Sequence, residues 1–430
     1  MCMQWTACCA LLSLQLLSLL EARATLHSTL NSRNSYLVDE VAQRPWFMQG
    51  GKRRPVVDSD SLSVMWLFPE DALGDALGED RIIDQLMYTI SSDVLLNKTI
   101  LLANEYSTWN VHSGQTEFVQ NKCPVDRCIL TMNSDESGTA DAILFNEYHT
   151  TLNARRPPNQ IWILYYLESI YAVQFCQTSP LQVFNWTASY RRDSDIVTPY
   201  ERWVYYNPKI TQKELDRNYA ANKTRKVAWF VSNCHTRNRR YEYALQLARH
   251  ISVDIYGWCG PNKYGCLRND PNCWKMLNEH YKFYLAFENT NSKDYITEKF
   301  FVNGLQHDVL PVVMGARQAD YAAVAPHNSY VHVDEFAGPK ELAAYLHRLD
   351  KDDSLYNSYF KWKGTGEFIN TYFFCRLCAM LHANDQRQRK PRFIDEQVWW
   401  DEANGLGSEA RRTPPPPRPL KSEIVSAFFK

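Results

Sequence analysis

The sequence has almost no net charge: 47 Lys and Arg stand against 48 Asp and Glu, leaving −1 at pH 7. Without a basic excess it lacks the electrostatic footprint of a nucleic-acid binder. It also lacks a P-loop, a G-x-G-x-x-G turn and any internal repeat. Kinase, P-loop NTPase and simple dehydrogenase chemistry lose their main support with those motifs. Cys-x-x-Cys occurs once, at Cys375 and Cys378, with no second such pair and no His pair at ligand spacing. No zinc site is therefore expected. No Lys or Arg precedes the apolar N-terminal segment, so the usual cue for membrane orientation is missing.

What is present is ordinary for a globular chain: 430 residues, 45% apolar and 22% charged. That length favours two packed domains. Trp and Tyr are plentiful, and an apolar ring face with a polar rim suits a pyranose, although any one ring is more often a core residue. Basic residues cluster locally at Arg191 and Arg192 and from Arg237 to Arg240. In a neutral chain such clusters suit a small anionic ligand.

Residues 7–20 are apolar except for Ser13, Gln15 and Ser18. The run is nearer a signal-peptide core than a full span, and residues 1–20 read equally as a signal anchor or a cleaved signal peptide. N-x-[ST] sequons at Asn97, Asn185 and Asn222 point, with that segment, to a lumenal glycoprotein with several disulfides. Cys2, Cys8 and Cys9 lie in the apolar segment; nine cysteines remain, an odd number that leaves one thiol over. Cys375 and Cys378 are expected to be oxidised, to each other or to Cys123 and Cys128. A further bridge is expected among Cys259, Cys266 and Cys273.

Residues 21–60 read as a polar stem. Short apolar runs then suggest buried strands at Val64–Phe68, Thr99–Ala103, Ile129–Met132, Ala142–Phe145 and Ile161–Leu167, with a helix-like stretch at Ile82–Leu95. After a polar linker the pattern restarts. Strands are expected at Val227–Ser232, Val253–Tyr256, Phe283–Phe287 and Val309–Met314, and helices at Arg240–His250, Thr297–Leu305 and Lys340–Leu349. This predicts an α/β protein with an N-terminal domain over 61–210, a second over 226–380, and a cleft between them. Residues 381–430 form a Pro-rich tail.

The most informative stretch runs from Tyr281 to Lys299, Y-K-F-Y-L-A-F-E-N-T-N-S-K-D-Y-I-T-E-K. An apolar strand ends at Glu288 and Asn289, a polar loop follows, and Thr297 stands where a helix N-cap belongs. Unpaired amides at a helix start favour an anion, and Lys299 adds a point charge for a phosphate. Glu298 offers an acceptor to sugar hydroxyls. An ordinary capped surface helix fits the same residues.

Phe283, Leu285, Phe287, Glu288, Asn289, Asp294, Tyr295, Thr297, Glu298 and Lys299 resemble the donor motif of the α1,3-fucosyltransferase family, F-x-L-x-F-E-N-S-x-x-x-D-Y-x-T-E-K-L, with Thr290 and Phe300 departing from it. Phe184 to Ile196, F-N-W-T-A-S-Y-R-R-D-S-D-I, resembles a second block of that family. The resemblance extends roughly from residue 62 to 380. It implies a GT-B fold of two Rossmann-like domains facing across a cleft, GDP-fucose as donor, and transfer to a GlcNAc hydroxyl with inversion. It also implies residence in the Golgi membrane as a single-pass type II protein with a lumenal catalytic domain.

By matching positions, Glu168 is expected to be the general base. Arg240, Asn289, Tyr295, Glu298 and Lys299 are expected to hold the donor, with Arg240 and Lys299 on its phosphates. The family shows Glu-Ser-Pro where this chain has Glu168, Ser169 and Ile170, which loosens the expected turn. Asp193 and Asp195 form a D-x-D of the kind that holds a metal in GT-A enzymes, but Arg191 and Arg192 beside them oppose a cation. An internal salt-bridge network is expected instead. No metal ligand or cofactor is expected; manganese or magnesium would at most stimulate. Lone histidines such as His149 and His235 are discounted as catalysts.

The motifs at Ser232–Asn238 and Cys375–Cys378 resemble the core-type branch of plants and insects, which favours N-glycans on glycoproteins and their innermost GlcNAc as acceptor. The alternative is Lewis-type transfer to N-acetyllactosamine or LacdiNAc antennae. A metal-dependent GT-A enzyme is disfavoured by Arg191 and Arg192 beside the D-x-D, and a non-catalytic glycan-binding relative would lack the base or the phosphate contacts, whereas Glu168, Arg240 and Lys299 are all present. Nothing in the sequence sets an oligomeric state.

Overall fold

The structure is a computed structural model and describes residues 43–57, 65–71, 79–91, 93–103, 109–146, 156–169, 181–261, 266, 270–387 and 393. The apolar N-terminal segment, Val64, His149, Ile170, Cys176 and the Pro-rich run lie outside the described residues, as do most of the stem and tail.

The first half opens with a short helix α1 (Ile82–Leu86). It then builds β1 (Lys98–Leu102), helix α2 (Thr116–Gln120), β2 (Cys128–Thr131), β3 (Ala142–Phe145), β4 (Ile161–Tyr166), β5 (Trp186–Ser189) and β6 (Ile196–Val197). These strands make a six-stranded sheet in the order β2-β1-β3-β4-β5-β6, parallel throughout. All four residues of β3 and of β5 are buried, as expected of strands covered on both faces.

Strand β7 (Arg202–Tyr205) leads to the second half: β8 (Arg225–Phe230), α3 (Arg240–Leu247), β9 (Val253–Tyr256), α4 (Pro271–His280), β10 (Tyr281–Phe287), α5 (Glu298–Phe300), β11 (Leu310–Met314), α6 (Gln318–Val324), β12 (Val331–His332), α7 (Pro339–Lys351) and α8 (Asp353–Ser358). Helix α4 begins with an Asp270 cap, whose side chain accepts from Asn272 N–H at 2.9 Å, and with Pro271 where no N–H is needed. The second sheet has the order β12-β11-β10-β8-β9, again parallel. Central β10 is buried along its whole length. Phe283, Leu285 and Phe287 face one layer, Tyr284 and Ala286 the other. Each such large apolar side chain stabilises the fold by about 2–3 kcal/mol. Lys282 belongs to this strand only because its stem is covered while its ammonium reaches Asp350 at 3.3 Å.

The chain then returns. Strand β13 (Gly366–Ile369) pairs antiparallel with β7, and helix α9 (Phe373–Gln386) packs in the core of the first sheet. Residues up to 380 were expected in the second domain, yet Cys375, Leu377, Cys378 and Met380 are buried among β1 to β3. Bridges Cys123–Cys375 and Cys128–Cys378 fasten the helix there. The result is the GT-B arrangement, with two parallel sheets and the chain crossing twice between them.

Three local expectations are corrected. Residues 43–57 are not linker, since Trp46, Phe47 and Met48 are buried in the first core and Trp46 Nε1 donates to Leu86 O at 3.1 Å. Met65–Phe68 is not a strand; its N–H groups go to carboxylates, Trp66 to Asp84 and Leu67 and Phe68 to Asp71. The helix expected over Ile82–Leu95 ends at Leu86, before Tyr88, Thr89 and Ile90, whose bulky or branched side chains suit a helix poorly.

Candidate active site

In the second sheet the strand order reverses between β8 and β10, the crevice where open α/β sheets take ligands. Two loops meet there, 231–239 after β8 and 288–297 after β10. Glu288 closes β10 and is fully buried. Its carboxylate accepts from Thr297 N–H at 2.8 Å and Thr297 Oγ1–H at 2.9 Å, and it lies 3.2 Å from Lys299 Nζ. This folds the loop back on the strand and fixes the start of α5. Room for it comes from Gly315, at φ 142°, where a Cβ would stand 2.7 Å from Glu288 Cβ. Glu288 was read from sequence only as part of a motif; a lone carboxylate directly after the apolar run Phe283–Phe287 was the signal of its role.

Thr297 is the expected cap, accepting from Lys299 N–H at 3.4 Å. The helix it starts is short: α5 widens at once into a π-turn, Phe301–Leu305. The Lys299 ammonium is shared by Thr297 Oγ1 at 2.9 Å, Glu298 Oε1 at 3.0 Å and Glu288. Burial opposes its charge, but Glu288 and Glu298 hold its pKa above the usual lysine value. Burial likewise pushes the Glu298 carboxyl up, and Lys299 outweighs it and brings it below the ordinary range. Arg240 is buried at the start of α3. It donates to Phe287 O and to Asn233 O, stapling the two crevice loops, and burial lowers its pKa against the pull of Glu288. Asn289 follows Glu288 with a buried Oδ1 that has no hydrogen-bond partner among the described residues.

The first half meets this loop directly. Glu168, exposed at the carboxyl end of β4, accepts a hydrogen bond from Tyr295 Oη–H at 3.1 Å. Tyr295 itself is 1% exposed, its ring edge-on to Tyr190 at 5.0 Å, and burial raises its phenol far above the usual range. So Tyr295 brings Glu168 of the first half to the loop that also carries Asn289, Glu298 and Lys299, and Arg240 staples the strand end before that loop to the loop after β8.

The family profile described as Glycosyltransferase family 10 (fucosyltransferase) C-term matches residues 220–397, and the profile Fucosyltransferase, N-terminal matches residues 96–201. Alpha-(1,3)-fucosyltransferase C of Drosophila melanogaster is 32% identical over 345 residues, covering 73% of this chain and 80% of that protein. The chain belongs to glycosyltransferase family 10. Glycoprotein 3-alpha-L-fucosyltransferase A of Drosophila melanogaster is 56% identical over 331 residues, which is 75% of this chain; the chain spans 65% of that relative's length. A solved alpha1,3-fucosyltransferase with GDP is 16% identical, covering 74% of this chain and 98% of that one, with TM-score 0.48.

Other sequence-read residues of this family 10 chain fall into place around the junction. Asp193 is not open to a cation. It pairs with Arg191 Nε at 2.8 Å and Lys293 Nζ at 2.9 Å; burial opposes its charge, yet the two cations hold it below the carboxylate range. Asp195 is buried and accepts from Thr187 N–H at 2.9 Å. His235 is exposed. Besides the two bridges to α9, Cys266–Cys273 is the further bridge expected among Cys259, Cys266 and Cys273, while Cys259 pairs instead with Cys234, for which no partner was expected because no spacing marks one. Cys128, Cys378 and His382 cluster closely enough to hold an ion, but the two sulfurs are bonded to each other. Asn97 and Asn222 are exposed, as sequons require. Asn185 is corrected: it is 1% exposed, its Oδ1 accepting from Trp162 N–H at 2.9 Å and from Arg156, so the folded chain has no room for a glycan there.

Proposed function

We propose that the chain is an inverting fucosyltransferase that moves L-fucose from GDP-β-L-fucose to the 3-hydroxyl of GlcNAc, the innermost Asn-linked GlcNAc of N-glycans being the preferred acceptor. The observation that carries the reading is the Tyr295–Glu168 contact, which sets a carboxylate of one half against the donor motif of the other. Glu168 takes the proton of the acceptor hydroxyl as its oxygen bonds to the anomeric carbon. On the opposite face the bond to the β-phosphate oxygen breaks, and GDP leaves with the electron pair. A positioned base contributes about 10²–10⁴-fold.

Negative charge grows on the leaving diphosphate, and Lys299 and Arg240 are the cations at that end. Glu298 is the more exposed of the two carboxylates on Lys299, so a phosphate oxygen can displace it while Glu288 keeps the ammonium in place. Asn289 offers its unpartnered amide oxygen to a donor hydroxyl or N–H. With two cations in place, turnover needs no metal, and manganese or magnesium only stimulates. Full loss of activity in EDTA, restored by manganese, would overturn this.

The core-type acceptor is supported by the 56% identity to the Drosophila glycoprotein 3-alpha-L-fucosyltransferase A against 32% to alpha-(1,3)-fucosyltransferase C. Four disulfides and the exposed sequons suit a lumenal, Golgi-resident catalytic domain. No helix of the described residues is long and apolar enough to cross a membrane; residues 1–20, the proposed anchor of a type II protein, lie outside them. The deciding experiment is incubation with GDP-fucose and defined acceptors, followed by mass analysis. Fucose is expected on the Asn-linked GlcNAc of N-glycopeptides. Transfer to free N-acetyllactosamine alone would favour the antennary reading, and no transfer to any glycan would refute the activity.

A further inference from the structure

The loop that bears the donor motif is gripped by the other half one residue before Tyr295. Asp294 has a left-handed backbone, φ 59°, which aspartate adopts more readily than most residues with a side chain. Its carboxylate, 3% exposed, accepts from Arg192 N–H at 3.1 Å and from Arg192 Nε–H at 2.9 Å. The same guanidinium stands 3.7 Å from Asp320, a second fully buried carboxylate, held from its own helix by Arg317 at 2.9 Å. Beside this pair runs another of opposite sense, Lys293 of the loop to Asp193 of the first half. Arg192 thus sits between two buried acids of the second half while rooted in the first. Asp320 also has Arg317, but without Arg192 the Asp294 carboxylate would be buried with no cation on it, and the loop would have to move.

We propose that Arg192 is a positioning residue for the transfer reaction: by fixing Asp294 it sets where Tyr295 stands, and Tyr295 in turn holds the Glu168 carboxylate in line with the donor. The proposal rests on Glu168 being the base. Its logic is geometric. Tyr295 is the next residue after the gripped one, and its hydroxyl makes the contact with Glu168 across the halves. At the far end of the loop, Thr297 is tied back to Glu288 within the second half. Arg192, beside the Lys293–Asp193 pair, therefore refers the loop to the acceptor side and is the one that holds the residue next to Tyr295. Lysine could not replace it, since a point charge cannot bind the carboxylate and face Asp320 in one plane.

The test is a cycle of full-chain variants: Arg192→Gln, Tyr295→Phe and both together, with kcat and KM for GDP-fucose and for an N-glycopeptide. A misplacement of the order of an ångström costs up to about a hundredfold, so Arg192→Gln is expected to lower kcat by about ten- to a hundredfold. The double variant should be no worse than the poorer single one, because both changes break one chain of contacts. Losses that multiply, or Arg192→Gln with wild-type kcat, would overturn the proposal. Amide exchange over residues 289–297 gives a readout independent of activity. It should quicken in Arg192→Gln while β10 and α3 stay protected; unchanged exchange, or loosening of the whole half, counts against the clamp. If Arg192→Gln does not fold, the near-isosteric Asp294→Asn serves in the same cycle. A wild type that transfers no fucose sinks the proposed function, and the exchange arm still decides the clamp.

Discussion

Removing one of the two bridges to α9 should cost about a third of what removing both costs. Cys123–Cys375 and Cys128–Cys378 close loops of 252 and 250 residues, but they run side by side. Whichever bridge is kept still closes the long loop. The second then adds only the small ring between Cys123 and Cys128 on one side and Cys375 and Cys378 on the other, about ten residues, worth about 2.7 kcal/mol. The long loop is worth about 5 kcal/mol, nearly the same whether or not the second half stays folded, since length enters as a logarithm. Replacing Cys128 and Cys378 by Ser should therefore cost about 2.7 kcal/mol, and the other pair alone the same. Replacing all four should cost about 8 kcal/mol, enough to unfold the first half at ordinary stabilities. Local opening free energies of β1 to β3, read by amide exchange against denaturant, measure this without assuming one global transition. If either single pair cost as much as all four cysteines, the parallel-ring reasoning would be wrong.

Glu168→Gln keeps the size and the bond from Tyr295 but cannot take a proton. Its kcat is expected to fall about 10²–10⁴-fold with GDP affinity, by calorimetry, unchanged; more than about a tenth of wild-type kcat would move the base elsewhere. Lys299→Ala leaves Glu288 buried without its cation, so denaturant unfolding should show a loss of about 3 kcal/mol beside the lost turnover. Full stability would mean that Thr297 alone satisfies Glu288. Glycopeptide mapping of protein from a secretory host should find glycans at Asn97 and Asn222 and none at Asn185. An occupied Asn185 would contradict its place between Trp162 and Arg156.

Much of the fold could be read from the sequence because parallel strands covered on both faces appear as unbroken apolar runs. Ala142–Phe145 is such a run and falls where it was read; Val253–Tyr256 falls where it was read too, although it is an edge strand broken by Asp254. The site was readable for a different reason: the stretch from Glu288 to Lys299 is contiguous, so the cap, the loop and the cation all sit in one window. What failed depended on distant partners. Met65–Phe68 is apolar enough for a strand, but Asp71 and Asp84 take its N–H groups. The helix Phe373–Gln386 was not read from the sequence, and nothing in that run says which sheet receives it. The Arg192–Asp294 pair spans 102 residues and joins two motifs that sequence reading kept apart.

The antiparallel ribbon of β7 and β13, with Tyr205 opposite Gly366 and Arg202 opposite Ile369, brings the two crossings side by side. The second half is therefore an insertion in the first, a guest whose entrance and exit are neighbours. A ribosome delivers such a chain in an awkward order. The host sheet is complete by Val197, yet its last helix, with Cys375 and Cys378, emerges only after the whole guest has been made. At 5–20 residues per second, Cys123 and Cys128 wait roughly 10–50 s for their partners. During that time Cys234, Cys259, Cys266 and Cys273 emerge as thiols before they pair. Correct pairing then calls for early, wrong bridges to be undone, so the yield of native protein should follow the supply of disulfide isomerase more closely than the rate of oxidation.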